Sequence, residues 1–330
     1  MKPAGTFTEL ARLVAIDTVS PMSAGQLDAC AAELAGYDCH RIGPELFGRG
    51  DPAADVWLYG HVDTKPARPR EEWRTDPFTL TERDGYWYGL GTSDSKFQLL
   101  NALGVAPPDE HFVLVDTSEE HDGSGAAAAF LADHAPRTMV VCDGAVAPGF
   151  DVFSGYSGQF DGVVRLDTGR EPAHPARGGG DVGATLALFL ADARASDLRL
   201  TVTGLSAPVT ERSLSLQQAE VRIDVRMQPD DLPALHRFLD RWPHSTRQLM
   251  YPVVGRAPLR LPGLVCGGVT PTANRLGRAD GPPVEHLVVV PGADPDNRNH
   301  QPNEFIRPAQ IERHRDTLRR VLAALKGKVR

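Results

Sequence analysis

The chain reads Val56-Trp57-Leu58-Tyr59-Gly60-His61-Val62-Asp63, a short apolar run followed directly by residues that can do chemistry. Three further stretches repeat this arrangement: Phe112–Asp116, Met139–Asp143 and Leu287–Pro291. Continuous apolar runs of this length are typical of strands that are buried on both faces of a sheet. The sequence therefore predicts an α/β fold whose main sheet is mostly parallel and is flanked by helices.

Histidine and acidic residues recur where these strands should end. In open α/β sheets, ligands bind outside the carboxyl ends of the strands, so these side chains are expected at one edge. Zinc takes nitrogen from histidine and oxygen from carboxylates, and one carboxylate can bridge two metals. The composition therefore predicts a two-metal hydrolytic site, with Glu119 as a neighbouring general base. The candidate ligands are His61, Asp94, Glu120, Asp143 and His300.

The pattern changes between about Ser154 and Pro243. Two strongly patterned segments, Asp181–Arg194 and Asp231–Trp242, are predicted to be helices. Strands are predicted at 160–166, 198–205 and 219–227. The order β-α-β-β-α suits a small α+β sandwich inserted into the first domain. We therefore expect a catalytic domain at 1–153 and 247–330 and an inserted lid or dimerisation domain at 154–246. Terminal helices are expected at Phe7–Ile16 and Pro308–Ala324.

Composition and charge argue against some classes of binding partner and indicate a cellular compartment. The chain has 330 residues and a net charge of −8, so nothing indicates a nucleic acid or an anionic membrane as partner. Its four cysteines form no C-x-x-C pair, which argues against a disulfide framework or a structural zinc finger. Residues 1–16 lack a long apolar run, and no stretch has the length of a membrane span. A cytoplasmic location is therefore expected.

Five motifs occur in an order that resembles one enzyme family. The resemblance is to the zinc-dependent aminoacylase, acetylornithine deacetylase and succinyl-diaminopimelate desuccinylase family, which also contains carboxypeptidases and dipeptidases. The segment Gly60–Pro66 resembles its G-H-x-D-x-x-P motif, and Thr117–Glu120 its paired glutamates. Trp73–Phe78 and Asp84–Lys96 resemble its W-x-x-D-P-F and D-G-x-x-Y-G-R-G-x-x-D-x-K motifs, and Asn299–Glu304 its H-x-P-N-E motif.

The resemblance implies a role for each residue of the site. His61 and Asp143 would hold one zinc ion, Glu120 and His300 the other, and Asp94 would bridge them. Glu119 would move a proton from the attacking water to the leaving amine. Asp63 would orient His61 through its second ring nitrogen, and the peptide after Asp94 would be cis. Cobalt or manganese are alternative metals, since these ligands accept all three.

The residues that bind substrate are less clearly marked. His174 resembles a family histidine that reaches the partner subunit's active site, although the residues that usually follow it differ here. Arg275 aligns with a segment that binds the substrate carboxylate, for which a guanidinium is well suited. Leu90 stands where the family has arginine, and Phe97 where it has glycine. The resemblance also implies a homodimer.

These observations predict hydrolysis of an N-acyl or isopeptide bond that releases an amino acid. The substrate is a free N-acyl amino acid or an amino acid linked to a carrier protein. Gly155–Gly158 and Pro291–Asp294 are similar to hydrolases that release lysine or ornithine from an acidic carrier protein. One alternative is a carboxypeptidase or dipeptidase of the same family. Another is a non-catalytic binding protein that kept the fold.

Overall fold

The computed structural model describes most of the chain. The described residues are 7–167, 182–206, 218–228, 231–242, 244–251, 254–255, 260–270, 276 and 284–326. His174 and Arg275 lie outside them. The α-helices of the described part are Phe7–Val14 (α1), Ala24–Leu34 (α2), Phe97–Val105 (α3), Glu119–Asp122 (α4), Gly125–His134 (α5), Val182–Ala195 (α6), Leu232–Leu239 (α7) and Pro308–Lys326 (α8).

The strands are mostly short. In chain order they are His40–Arg41 (β1), Leu46–Arg49 (β2), Val56–His61 (β3), Thr81–Arg83 (β4), Tyr86–Tyr88 (β5), Phe112–Asp116 (β6), Thr138–Val141 (β7), Val152–Phe153 (β8), Gly155–Tyr156 (β9), Gly158–Asp167 (β10), Arg199–Ser206 (β11), Gln218–Met227 (β12), His244–Tyr251 (β13), Val254–Gly255 (β14), Cys266–Gly267 (β15), His286–Val289 (β16) and Phe305–Ile306 (β17).

The main sheet has eight strands in the order β1-β2-β6-β3-β7-β16-β8-β15. Its four central strands, β6, β3, β7 and β16, run parallel to one another. All residues of β3, β6 and β7 are buried, which is why their sequences are apolar on both faces. The predicted fold class, a mostly parallel sheet with helices, is confirmed. The antiparallel strand pairs β1–β2, β2–β6 and β16–β8 lie towards the edges of the main sheet.

The core beside this sheet is built by α1, α3 and α8. Leu10, Leu58, Leu100 and Leu318 belong to one buried apolar cluster. The helix α3 is buried along seven of its nine residues, so its sequence shows no polar face. It follows directly on the segment that contains Asp94, and its packing therefore fixes the position of that segment.

The chain divides into two compact units. One comprises Met1–Tyr156 with Gly255–Arg330, and the other comprises Ser157–Val254. In the second unit, an antiparallel sheet in the order β11-β12-β10-β13 accompanies α6 and α7. Phe189 and Phe238, from the two helices, share its buried core with Ile223 of β12. The sequence patterns did not predict the strand β13, and the role of this unit as lid or dimer surface stays a prediction.

Two negative findings concern the described residues. None of their helices is both long enough and apolar enough to cross a membrane. The four cysteines are free thiols, and Cys30, Cys39 and Cys142 are buried.

The burial of His314 in α8 predicts that the stability of the unit formed by Met1–Tyr156 and Gly255–Arg330 depends on pH. The ring is fully buried, donates from Nε2 to the Val290 carbonyl at 3.1 Å and accepts from Asn101 at 3.1 Å. Burial lowers its pKa to about 3, whereas an unfolded chain takes up the proton near pH 6.5. The stability that it contributes is therefore complete above about pH 6.5 and is lost as the pH falls towards 3.

We expect His314→Gln to remove this part of the pH dependence. Between pH 6.5 and pH 3, the free energy of unfolding of the wild type should fall by roughly 4 kcal/mol more than that of the variant. Urea unfolding at a series of pH values measures it. His40→Gln, at an exposed position, is the control and should keep the wild-type slope. Parallel curves for wild type and His314→Gln would contradict the assignment.

Candidate active site

The chemically capable residues lie where the central strands end. His61 is the last residue of β3, Asp143 follows β7 by two residues, and Glu119 and Glu120 begin α4 just after β6. Asp94 lies in the irregular turn Thr92–Lys96 ahead of α3. Because the strands are parallel neighbours, their carboxyl ends share one edge of the sheet.

One group of donor atoms forms around His61. Its Nε2 lies 3.2 Å from Oδ1 of Asp94 and 3.7 Å from Oδ1 of Asp143. Its other ring nitrogen, Nδ1, lies 3.2 Å from the carbonyl oxygen and 3.3 Å from the carboxylate of Asp63. The imidazole is fully buried. Nε2 of His61 therefore faces Asp94 and Asp143, while Nδ1 contacts Asp63.

A second group forms around His300, in the loop between β16 and β17. Its Nε2 lies 2.8 Å from Oε1 of Glu120 and 3.1 Å from Oδ2 of Asp94. Within each group the donor atoms all lie within 4.8 Å of one another. Asp94 gives one oxygen to each group, so the two groups share a single carboxylate. The structure therefore brings together all five candidate ligands.

The electrostatics of the site show an excess of negative charge. Burial opposes ionisation of His61, yet its hydrogen bonds to Asp143, Asp63 and Asp94 raise its pKa well above the usual value. Hydrogen bonds to Asp94 and Glu120 raise the pKa of His300 to about 11. Glu119 has its pKa raised well above the usual value by burial and by the surrounding carboxylates. Such a cluster is stabilised by bound cations.

Asp63 connects the histidine to the glutamate pair. Besides facing His61, its carboxylate accepts the backbone N–H of Glu119 at 3.2 Å and that of Glu120 at 2.9 Å. The Ser20 hydroxyl donates to it as well. Asp63 is fully buried, so these contacts are shielded from water. One carboxylate thus fixes the orientation of His61 and the start of α4 together.

Glu304 organises the turn that carries Asp94, a role that the motif did not reveal. Its buried carboxylate accepts the backbone N–H groups of Gly91 at 2.8 Å, Ser93 at 2.8 Å and Asp94 at 3.1 Å. Asn299 donates to Oδ2 of Asp94 at 3.2 Å. The peptide after Asp94 is cis, as in the family that the sequence resembles.

Glu304→Gln is expected to loosen this turn. A neutral amide presents one acceptor oxygen instead of two, so a buried N–H loses its partner. The free energy of unfolding should fall by roughly 2–3 kcal/mol, which chemical denaturation measures. Glu312→Gln makes the same change at a side chain that is 67% exposed and pairs with Arg315, and it should leave stability nearly unchanged. Equal stability of the two variants would refute the role of Glu304.

Lys65 is a second residue that the sequence patterns missed. Its ammonium lies 3.2 Å from Oε2 of Glu120 and donates to the carbonyl oxygen of the same residue. The other carboxylate oxygen, Oε1, faces His300. Lys65 therefore contacts Oε2 of Glu120, while Oε1 of the same carboxylate faces His300.

The two departures from the family motif next to Asp94 are accommodated in the core. Phe97 is fully buried and packs edge-on against His314, with ring centroids 5.4 Å apart. A side chain at position 292 would collide with its ring, and that position is glycine. Leu90 is buried as well, and its N–H donates to the Pro77 carbonyl oxygen at 2.8 Å. Neither change removes a donor atom.

Comparison with known proteins places the chain in a family. The profile of "Peptidase family M20/M25/M40" matches residues 57–324, so the chain belongs to that family. This confirms the family resemblance that was read from the motifs.

Among curated relatives, the succinyl-diaminopimelate desuccinylase of Bordetella avium is 35% identical over 147 residues, which are 42% of this chain and 38% of that protein. The enzyme of the same name from Acidovorax ebreus is 38% identical over 151 residues, 38% of each chain. The matches therefore span about two fifths of these relatives.

Solved structures share the fold over almost the whole chain. The M20 family metallo-carboxypeptidase Sso-CP2 of Sulfolobus solfataricus has a TM-score of 0.69 at 14% identity, covering 96% of this chain and 98% of that one. Human carnosine dipeptidase 1 has a TM-score of 0.63 at 15% identity, covering 96% of each chain. At these identities the likeness concerns the fold.

Proposed function

We propose that this protein is a metal-dependent hydrolase that cleaves an amide bond and releases an amino acid. The observation that carries the proposal is the pair of donor groups around His61 and His300, which share Asp94. Glu119 stands beside them in a cluster of carboxylates. Family membership supports the same conclusion, because the family is one of peptidases.

The donor set fits two divalent cations. His61 and Asp143 would hold one, Glu120 and His300 the other, and Asp94 would contribute one oxygen to each. Imidazole and carboxylate donors suit zinc, and they also accept cobalt or manganese. The distances from Nε2 of each histidine to the carboxylate oxygens range from 2.8 to 3.7 Å, and all donor atoms of a group lie within 4.8 Å of one another, which supports binding to a common ion. The surplus of carboxylates supports the same assignment.

Different residues of the chain would have different roles in hydrolysis. Metals held by these residues would supply Lewis-acid polarisation of the scissile carbonyl and would make water a better nucleophile. Glu119 accepts a proton from the attacking water and delivers it to the leaving nitrogen, as a general base and then a general acid. Asp63 keeps Nδ1 of His61 occupied, so that Nε2 faces Asp94 and Asp143 and would be free to bind a metal.

The substrate we propose is an N-acyl amino acid. The support is the sequence similarity to enzymes named succinyl-diaminopimelate desuccinylases. An amino acid linked to a carrier protein is the variant that the short stretches Gly155–Gly158 and Pro291–Asp294 favour. Arg275 and His174 remain the proposed contacts to the substrate, the latter across a homodimer.

A substrate panel tests the proposed function. Zinc-loaded protein is incubated with N-succinyl and N-acetyl amino acids and with dipeptides, and the released amines are quantified. Glu119→Ala, purified identically, serves as the blank for contaminating hydrolases. We expect cleavage of acyl amino acids by the wild type alone. Cleavage restricted to dipeptides would make the protein a peptidase, and no cleavage of any amide would favour the non-catalytic reading.

A further inference from the structure

A pocket beside the His300 loop is lined by three arginines. Arg74, Arg83 and Arg298 contribute to its wall, and Asp84 is the carboxylate among its lining residues. Arg83 pairs with Asp84 at 3.3 Å. Within the described part of the chain, Arg74 and Arg298 have no carboxylate partner. The pocket is therefore positively charged, although the chain carries a net charge of −8.

The wall of this arginine pocket is fixed by Asn303. Its side-chain oxygen accepts the N–H of Arg74 at 2.7 Å, and its amide nitrogen donates to the carbonyl oxygen of Glu72 at 2.8 Å. Arg298 and Asn303 have φ values of 62° and 64°, a conformation that non-glycine residues rarely adopt. The hydrogen bonds hold the backbone of Arg74 against this loop, so Arg74 and Arg298 are kept on the same pocket wall.

Two aromatic rings also line the pocket. They belong to Tyr88 and Phe305, and their centroids are 5.7 Å apart. The cavity measures about 210 Å³, which corresponds to roughly seven water molecules. Thr75 also lines it, and its hydroxyl has no hydrogen-bond partner among the described residues. A lining that combines two aromatic rings with guanidinium groups suits a short aliphatic chain that ends in an anion.

One residue of the pocket lies close in the sequence to a proposed metal ligand. Arg298 precedes His300 by two residues, so their Cα atoms are at most about 7.6 Å apart. The neighbouring residue Glu304 holds the turn of Asp94. An anionic group bound here would lie beside the same loop that carries a proposed metal ligand.

We propose that the arginine pocket binds a carboxylate on a short aliphatic chain. Guanidinium groups favour carboxylates, because they donate two parallel hydrogen bonds to the two oxygens. The carboxylate is the far end of a dicarboxylic acyl group or a glutamate side chain of an acidic peptide. The assignment of this ligand to the substrate rests on the proposed function, whereas the binding itself does not.

Calorimetry on the full-length zinc-loaded protein tests the binding. Succinate and triglutamate are titrated, with succinamide and triglutamine as neutral analogues. The double variant Arg74→Gln with Arg298→Gln should weaken carboxylate binding tenfold or more, because both unpaired cations are lost. Arg70→Gln is the matched control, since Arg70 lies outside the pocket lining and pairs with Asp76 at 2.9 Å.

Each outcome decides the proposal. Loss of succinate binding in the double variant supports it and identifies a small acyl group, and loss of triglutamate binding supports it and identifies an acidic peptide. Equal affinity of wild type and double variant for both anions would overturn it, and so would equal binding of the neutral analogues. If no amide is cleaved by any form of the protein, the proposed function fails while this binding result stands.

Discussion

Replacing Glu119 by alanine is expected to abolish nearly all turnover while leaving metal binding intact. In the proposed reaction the carboxylate moves one proton from water to the leaving nitrogen, and a positioned acid–base group contributes about 10²–10⁴-fold to a rate. We therefore expect kcat to fall by about 10³-fold or more. The measurement is the initial rate on the best substrate of the panel, with metal content determined on the same preparation.

The control for this variant is Glu82→Ala, which removes an exposed glutamate of β4. It should keep the wild-type rate. Glu119→Ala should bind as much zinc as the wild type, because Glu119 belongs to neither donor group. A Glu119→Ala variant that hydrolyses substrate at the wild-type rate would show that the proton is carried by another group.

Replacing Asp94 by alanine is expected to weaken both metal sites at once. Its two oxygens lie 3.2 Å from Nε2 of His61 and 3.1 Å from Nε2 of His300, so each donor group loses one of its three members. We expect the zinc content after equilibrium dialysis to fall from about two per chain to well below one. Turnover should be lost together with the metals.

Asp143→Ala provides the matched comparison, because Asp143 belongs to the His61 group alone. This variant should lose one metal and keep the other between Glu120, His300 and Asp94. Emission spectrometry after dialysis against buffered zinc measures both variants. An equal loss in Asp94→Ala and Asp143→Ala would contradict the shared position of Asp94.

Strands could be predicted where a short segment is buried on both faces of the sheet. Strands β3, β6 and β7 are buried on both faces, so apolar runs indicate them directly. The helix α3 was missed because it is buried on nearly all sides and shows no helical periodicity. The strand β13 lacks a continuous apolar run, since its sequence is His-Ser-Thr-Arg-Gln-Leu-Met-Tyr. Its pairing with β10 depends on a neighbour that is distant in the sequence.

The candidate ligands could be predicted because histidine and acidic residues that follow strands lie at the edge of the sheet where ligands bind, and because these side chains bind zinc. The contacts of Glu304 and Lys65 could not, because each depends on residues more than fifty positions away. A glutamate or lysine in a loop is usually a solvated side chain, and the contact with Asp94 or Glu120 is a property of the folded chain alone. The substrate contacts His174 and Arg275 lie outside the described residues and stay predictions.

The central claim is that two metals share Asp94. Anomalous diffraction from crystals of the zinc-loaded protein tests it most directly. We expect two peaks about 3.5–4 Å apart, one beside His61 and Asp143 and the other beside Glu120 and His300, with Asp94 between them. A single peak, or no peak among these five residues, would contradict the two-metal site.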